Sequence, residues 1–326
     1  MILDITRHKF FEGFATLLLF ALVTTIATGV AYTPASPEAM SATPPIGALV
    51  SHLATHHTIL SVVAMLPLMV YAVLRLARAT ARAKIYPQST LGAIALGAAT
   101  LMALLPSTEY ATLTIVALLT CEAFGRLLYC FGPNIRAHYL FTSMLALGAL
   151  PLIDGTFVPL VGVVALLTIV LRGTLRETII ALVGALSPMI ISCYVEWLAM
   201  GSFIAPLIAI RDNLLTSSYT TIIDYITLPR LIFLGVLVTF ALLSVMQYFT
   251  NRVTLSTSAR NVWFLLLMAT VTIVITMLLG HISTGIIVAM AIILVPTLPM
   301  LFICTTPLMS VVMYILFILA ASIALA

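Results

Sequence analysis

Apolar runs recur along the whole chain, each ended by a short knot of charge or by proline and glycine. They lie near 14–32, 58–76, 90–106, 110–128, 137–153, 157–172, 177–197, 230–250 and 261–280. A further apolar stretch, Ser283 to Ala326, is interrupted by Pro296, Pro299 and Pro307 and predicts a helical hairpin with its tight turn at the prolines. Helices of about 20 residues cross a hydrocarbon core about 30 Å thick. Membrane β-strands would show alternating segments of about 10 residues, and none is present. The pattern therefore predicts an all-α polytopic transmembrane bundle of ten or eleven spans. Positions 1–326 form a single integral membrane domain with no soluble domain.

Composition agrees. Hydrophobic residues fill 63% of the 326 positions and charged residues 7%, against about 25% charged in soluble domains. Mean hydropathy is +1.24. The lipid bilayer is the partner this implies; the sequence names no protein partner.

The net charge of +4 reflects sidedness rather than nucleic acid. With 1–13 as a cytoplasmic lead and the spans alternating, Arg7, Lys9, Arg75, Arg78, Arg82, Lys84, Arg126, Arg136, Arg172, Arg176, Arg252 and Arg260 all fall inside. Only Arg211 and Arg230 fall outside. Glu38, Glu109, Asp154, Glu196, Asp212 and Asp224 also lie outside, whereas Asp4, Glu12, Glu122 and Glu177 lie inside. The charge-free region 261–326 offers no such marker.

Two outer segments are long enough to fold: a first loop over 33–57, and an amphipathic or re-entrant segment over 201–230. No internal repeat is evident, which weakens an inverted-repeat transporter reading.

Arg176-Glu-Thr-Ile-Ile-Ala-Leu-Val-Gly-Ala-Leu-Ser-Pro188 resembles a stretch in an uncharacterised family of Bacteroidota inner-membrane proteins, a domain of unknown function. There an Arg-Glu pair opens a helix that ends at Gly-x-x-x-Pro. The resemblance implies a multi-pass protein of a bacterial inner membrane, and it supplies no activity.

Candidate chemistry is sparse. His52 and His56 stack at i, i+4 if helical, and with His57 and Glu38 they are the densest set of metal-ligand types; an interfacial polar stretch is the plainer account. The six histidines divide between the two faces, so no site gathers four, and no cofactor is implied. Glu122 and Arg126 pair along one helix face at membrane depth and are candidates for substrate or anion contact. A structural ion pair is the alternative.

Thr174-x-x-Glu177 is a capping-box pattern, and Asp154-Gly155 is turn chemistry. In 201–230, Asp212 and Asp224 join Glu38 as candidate catalytic carboxylates, and Arg211, Arg230, Tyr219 and Tyr225 as candidate substrate contacts. The cysteines carry no pattern. Cys121 and Cys130 are separated by about 13 Å of helical rise, too far for a disulfide.

Three functions remain open from the residues: handling of a lipid-like or small molecule of the cell envelope, glycosyl transfer from a polyprenyl-phosphate sugar, and a non-catalytic subunit or scaffold.

Overall fold

The computed structural model describes residues 17–24, 26, 44–56, 58–87, 90, 92–105, 109–131, 137–172, 174–216 and 226–325. It is all-α. Helix α1 covers 17–24. It is followed by α2 (Pro45–His56), α3 (Thr58–Arg82), α4 (Ala93–Leu104), α5 (Tyr110–Cys130) and α6 (Ala137–Ala149). Two 3-10 turns, Leu150–Leu152 and Gly155–Phe157, lead into α7 (Val158–Arg172) and α8 (Leu175–Met200). Then come α9 (Ala205–Thr216), α10 (Leu228–Asn251), a 3-10 turn at Arg252–Thr254, α11 (Thr257–Leu278), α12 (Thr284–Leu294), α13 (Leu298–Cys304) and α14 (Pro307–Leu325).

Among the described residues, seven segments are long and apolar enough to cross a bilayer, and three shorter apolar helices run among them: Ala93–Leu104, Ala137–Leu152 and Gly155–Leu171. This is a multi-pass membrane protein. A helix as short as α4 rises about 18 Å, well under the hydrocarbon thickness. Every residue of α4 is buried, so protein rather than lipid surrounds its ends, which is how short or irregular backbone is tolerated at depth.

Local signals set several boundaries. Thr174 caps α8 by accepting from the Glu177 amide at 3.4 Å, as the capping pattern predicts. The return half of the box is missing, because Glu177 Oε2 is buried without a hydrogen-bond partner. Gly201 ends α8 in the left-handed conformation (φ 75°) that glycine adopts without steric penalty. Asp154 caps the turn at Gly155 by accepting from the Thr156 amide (3.0 Å) and hydroxyl (2.8 Å). Gly155 in turn donates to Asn213 Oδ1 at 2.8 Å, which seats α9 on this turn. Within the segment 201–230, the described stretch Ala205–Thr216 is thus a docked surface helix.

Helices α6 and α8 approach most closely where neither carries bulk. A β-carbon on Gly148 would fall 2.1 Å from the Ala185 carbonyl oxygen, and one on Gly184 would fall 2.8 Å from the Phe141 carbonyl oxygen. Small residues at such crossings let backbones touch, the usual basis of helix association in lipid.

At the centre stands the crossing Thr284–Cys304, made of α12 and α13, whose apolar window is 94% buried. The sequence places a tight turn at Pro296-x-x-Pro299, and the structure corrects this. The prolines interrupt a single crossing, and the reversal comes at Thr305 and Thr306, just before α14. Pro299 occupies the first turn of α13, where a missing amide is no loss. The break is stitched by side chains: Tyr86 donates to the Pro296 carbonyl at 2.5 Å and Ser244 to the Thr297 carbonyl. Burial pushes the Tyr86 phenol well above its ordinary range, so its hydroxyl stays a donor.

The two ends of the bundle differ. Trp263 of α11 donates to the Ile85 carbonyl just after α3 (3.2 Å), and Asn251 of α10 lies 3.6 Å from the Cys304 thiol. These contacts gather Arg82, Lys84, Arg252 and Arg260 near one end. At the other, the Thr284 hydroxyl donates to Glu109 (2.6 Å) and Thr156 lies 3.0 Å from Ser283, so Glu109 and Asp154 share the end that opens α12.

Candidate functional site

The described residues form one charged cluster at membrane depth, and it lies toward the basic end. Glu122 stands eight residues before the end of α5, a rise of about 12 Å. Its Oε2 accepts from Arg75 Nε of α3 at 3.0 Å. Its Oε1 accepts from Arg126, one turn further along α5. Side-chain exposure is 23% for Arg75, 14% for Glu122 and 25% for Arg126. The cluster is therefore half-sheltered and carries two cations against one anion.

Neighbouring rings complete it. The Arg75 guanidinium lies 5.9 Å from the centre of the Tyr129 ring, within cation–π range. Tyr129 packs against Tyr139 (5.5 Å), and Tyr139 against His138 at 5.8 Å. The Tyr129 hydroxyl is buried without a hydrogen-bond partner. Arg78 and Arg82 follow Arg75 at helical spacing and are exposed, which extends positive charge from the cluster to the end of α3.

The sequence reading paired Glu122 with Arg126 and missed Arg75, the partner 47 positions away. Intrahelical spacing cannot reveal a contact made between helices. The predicted span ends at 76, one residue past Arg75, so nothing in the sequence marked the depth that the observed helix, running on to Arg82, confers.

A second feature lies on the face of α14. Tyr314, Ile315, Ile318, Leu319 and Ser322 line an open groove of about 370 Å³. Tyr314 is also a wall of a more enclosed void of about 10 Å³, bounded in addition by Thr90, Gly92, Leu96, Pro299, Phe302 and Ile303. That void is no larger than one water molecule. Tyr314 packs edge-on against Phe302 with ring centres 6.4 Å apart. Tyr314 thus borders both the open face of α14 and the void beside the interrupted central helix.

The remaining candidates are dispersed. Asp212 pairs with its sequence neighbour Arg211 at 2.7 Å, and both are more than half exposed, a setting in which ion pairs contribute little. Arg230 lies in the first turn of α10. His52 is exposed on α2, and His56 ends that helix. Glu38, His57, Tyr219, Asp224, Tyr225 and Arg136 lie outside the described residues. Among the described residues, no three metal-ligand side chains converge.

These features define a multi-pass helical membrane protein with a sheltered cationic cluster and a groove opening toward lipid. Scans of the chain against protein families, curated proteins and solved structures find no match.

Proposed function

We propose that this protein is a multi-pass protein of a bacterial inner membrane, N-terminus in the cytoplasm, that handles a lipid-like molecule entering sideways from the bilayer. The carrying observation is the groove on α14 that meets an interior void at Tyr314. The walls of the groove are apolar apart from the Tyr314 and Ser322 hydroxyls, which suits an acyl or isoprenoid chain. Behind Tyr314 the wall includes Pro299, beside the break in the central helix, the sort of interruption around which membrane proteins rearrange. Tyr314 packs against Phe302 between the groove and the void, so handling requires that contact to part.

A photoactivatable alkyl-chain lipid in reconstituted vesicles tests this reading. Labelling is expected on Ile315 and Leu319 in the native protein. It should extend to Leu96 and Phe302 when Tyr314→Ala opens the wall. Labelling spread evenly over α8, α10 and α14 in both forms would remove the proposal.

Sidedness supports the orientation, because the basic residues gather at one end. An Arg82→Cys variant, lacking the four native cysteines, should react with an impermeant maleimide in inverted membranes and stay unlabelled in intact spheroplasts. The opposite labelling would reverse the orientation.

A further inference from the structure

We infer that Arg75 and Arg126 form a binding site for a phosphate-type oxyanion, sheltered beneath the basic face. The argument begins with charge. Two guanidinium groups share the one carboxylate of Glu122, which among the described residues leaves one positive charge of the cluster uncompensated. Were the cluster only a structural ion pair, a single arginine would neutralise Glu122, and the second would add a cost at membrane depth without a matching anion.

Donor geometry leads to the same place. Arg75 spends its Nε on Glu122, and no other described hydrogen bond uses its two terminal nitrogens. About a quarter of the side chain stays open. A guanidinium fixed through Nε by a carboxylate and flanked by an aromatic ring presents its outer fork in a set direction. Such forks match the paired oxygens of phosphate. Glu122 then acts as a positioning residue that aims both arginines, and Tyr129 forms one wall beside Arg75.

Arg82 lies further along α3 than Arg75 and is exposed, so an anion arriving at the basic end meets positive charge before it reaches the cluster. The two sources of such an anion are a lipid headgroup and free phosphate. This site is independent of the α14 groove, although a phosphate-bearing lipid would join the two.

The test uses the full-length protein, delipidated in a neutral detergent. Phosphatidylglycerol vesicles, phosphatidylcholine vesicles and inorganic phosphate are supplied in turn. Bound lipid is read by native mass spectrometry, and phosphate by its effect on thermal stability. Retention of phosphatidylglycerol over phosphatidylcholine assigns the site to a headgroup; a shift with inorganic phosphate alone assigns it to the free ion. In either case Arg75→Gln and Arg126→Gln, each eluting as the native protein does, should weaken binding about tenfold, the loss of one charge-assisted contact. The exposed control Arg82→Gln should change it by less than about threefold, since it adds only screened charge. Native protein that takes up neither anion, or equal losses in Arg75→Gln and Arg82→Gln, would overturn the inference. Loss of this site with alkyl labelling behind Tyr314 intact would leave handling of an uncharged lipid standing.

Discussion

Glu122→Ala is expected to be the most damaging single charge change in the protein. It leaves Arg75 and Arg126 without their shared acceptor, two cations facing each other across α3 and α5. Breaking a buried pair by removing one partner costs about 3–5 kcal/mol. Because each arginine keeps about a quarter of its surface open, the low end, about 3 kcal/mol, is expected. Glu122→Gln, which keeps an acceptor oxygen for one arginine, should recover part of the loss. Thermal unfolding in a fixed detergent reads both, and the ordering matters more than the size. Equal stability of the native protein and Glu122→Ala would mean that the cluster is solvated and contributes nothing to the fold.

Gly148→Ala comes next. A methyl group there would overlap the Ala185 carbonyl oxygen, 2.1 Å from the ideal β-carbon position. The obstacle is backbone, so no rotamer change relieves it, and α6 must back away from α8. Overpacking of this kind costs about 1–3 kcal/mol, occasionally more. Gly162→Ala on α7 is the matched control, because nothing lies within 4 Å of its added methyl. It should be neutral or stabilising by up to about 1 kcal/mol through better helix propensity. A Gly148→Ala protein that melts with the Gly162→Ala protein would show that the crossing has room to spread.

How much of this was legible in the chain follows from which interactions are local. The membrane class, the cap at Thr174, the turn at Asp154-Gly155 and the Glu122–Arg126 pairing all depend on residues a few positions apart, and all are present. Arg75 was not legible as a partner, since sidedness alone already accounts for an arginine near that edge. The interruption at Pro296 was placed wrongly because a proline that ends one helix and a proline that begins another leave the same mark in sequence. In this chain Pro299 begins α13, and the reversal needed no proline until Pro307. The burial of α4 was invisible for a different reason. A side chain that meets lipid and one that meets a neighbouring helix are equally apolar, so hydropathy separates neither the core from the rim nor the groove from the wall.

The central crossing has a consequence for how the molecule is made. Thr284–Cys304 is the most hydropathic of the long segments, with a mean of 2.7, yet in the finished protein it scarcely meets the bilayer. The helices that enclose it, among them α4, α5 and α10, precede it in the chain and leave the ribosome first. Its slot must therefore stay open, occupied by lipid tails, until the late arrival displaces them. Assembly ends with an exchange of lipid for protein, and a newly made chain that stalls before that exchange would present its greasiest surface to whatever quality-control protease patrols the membrane.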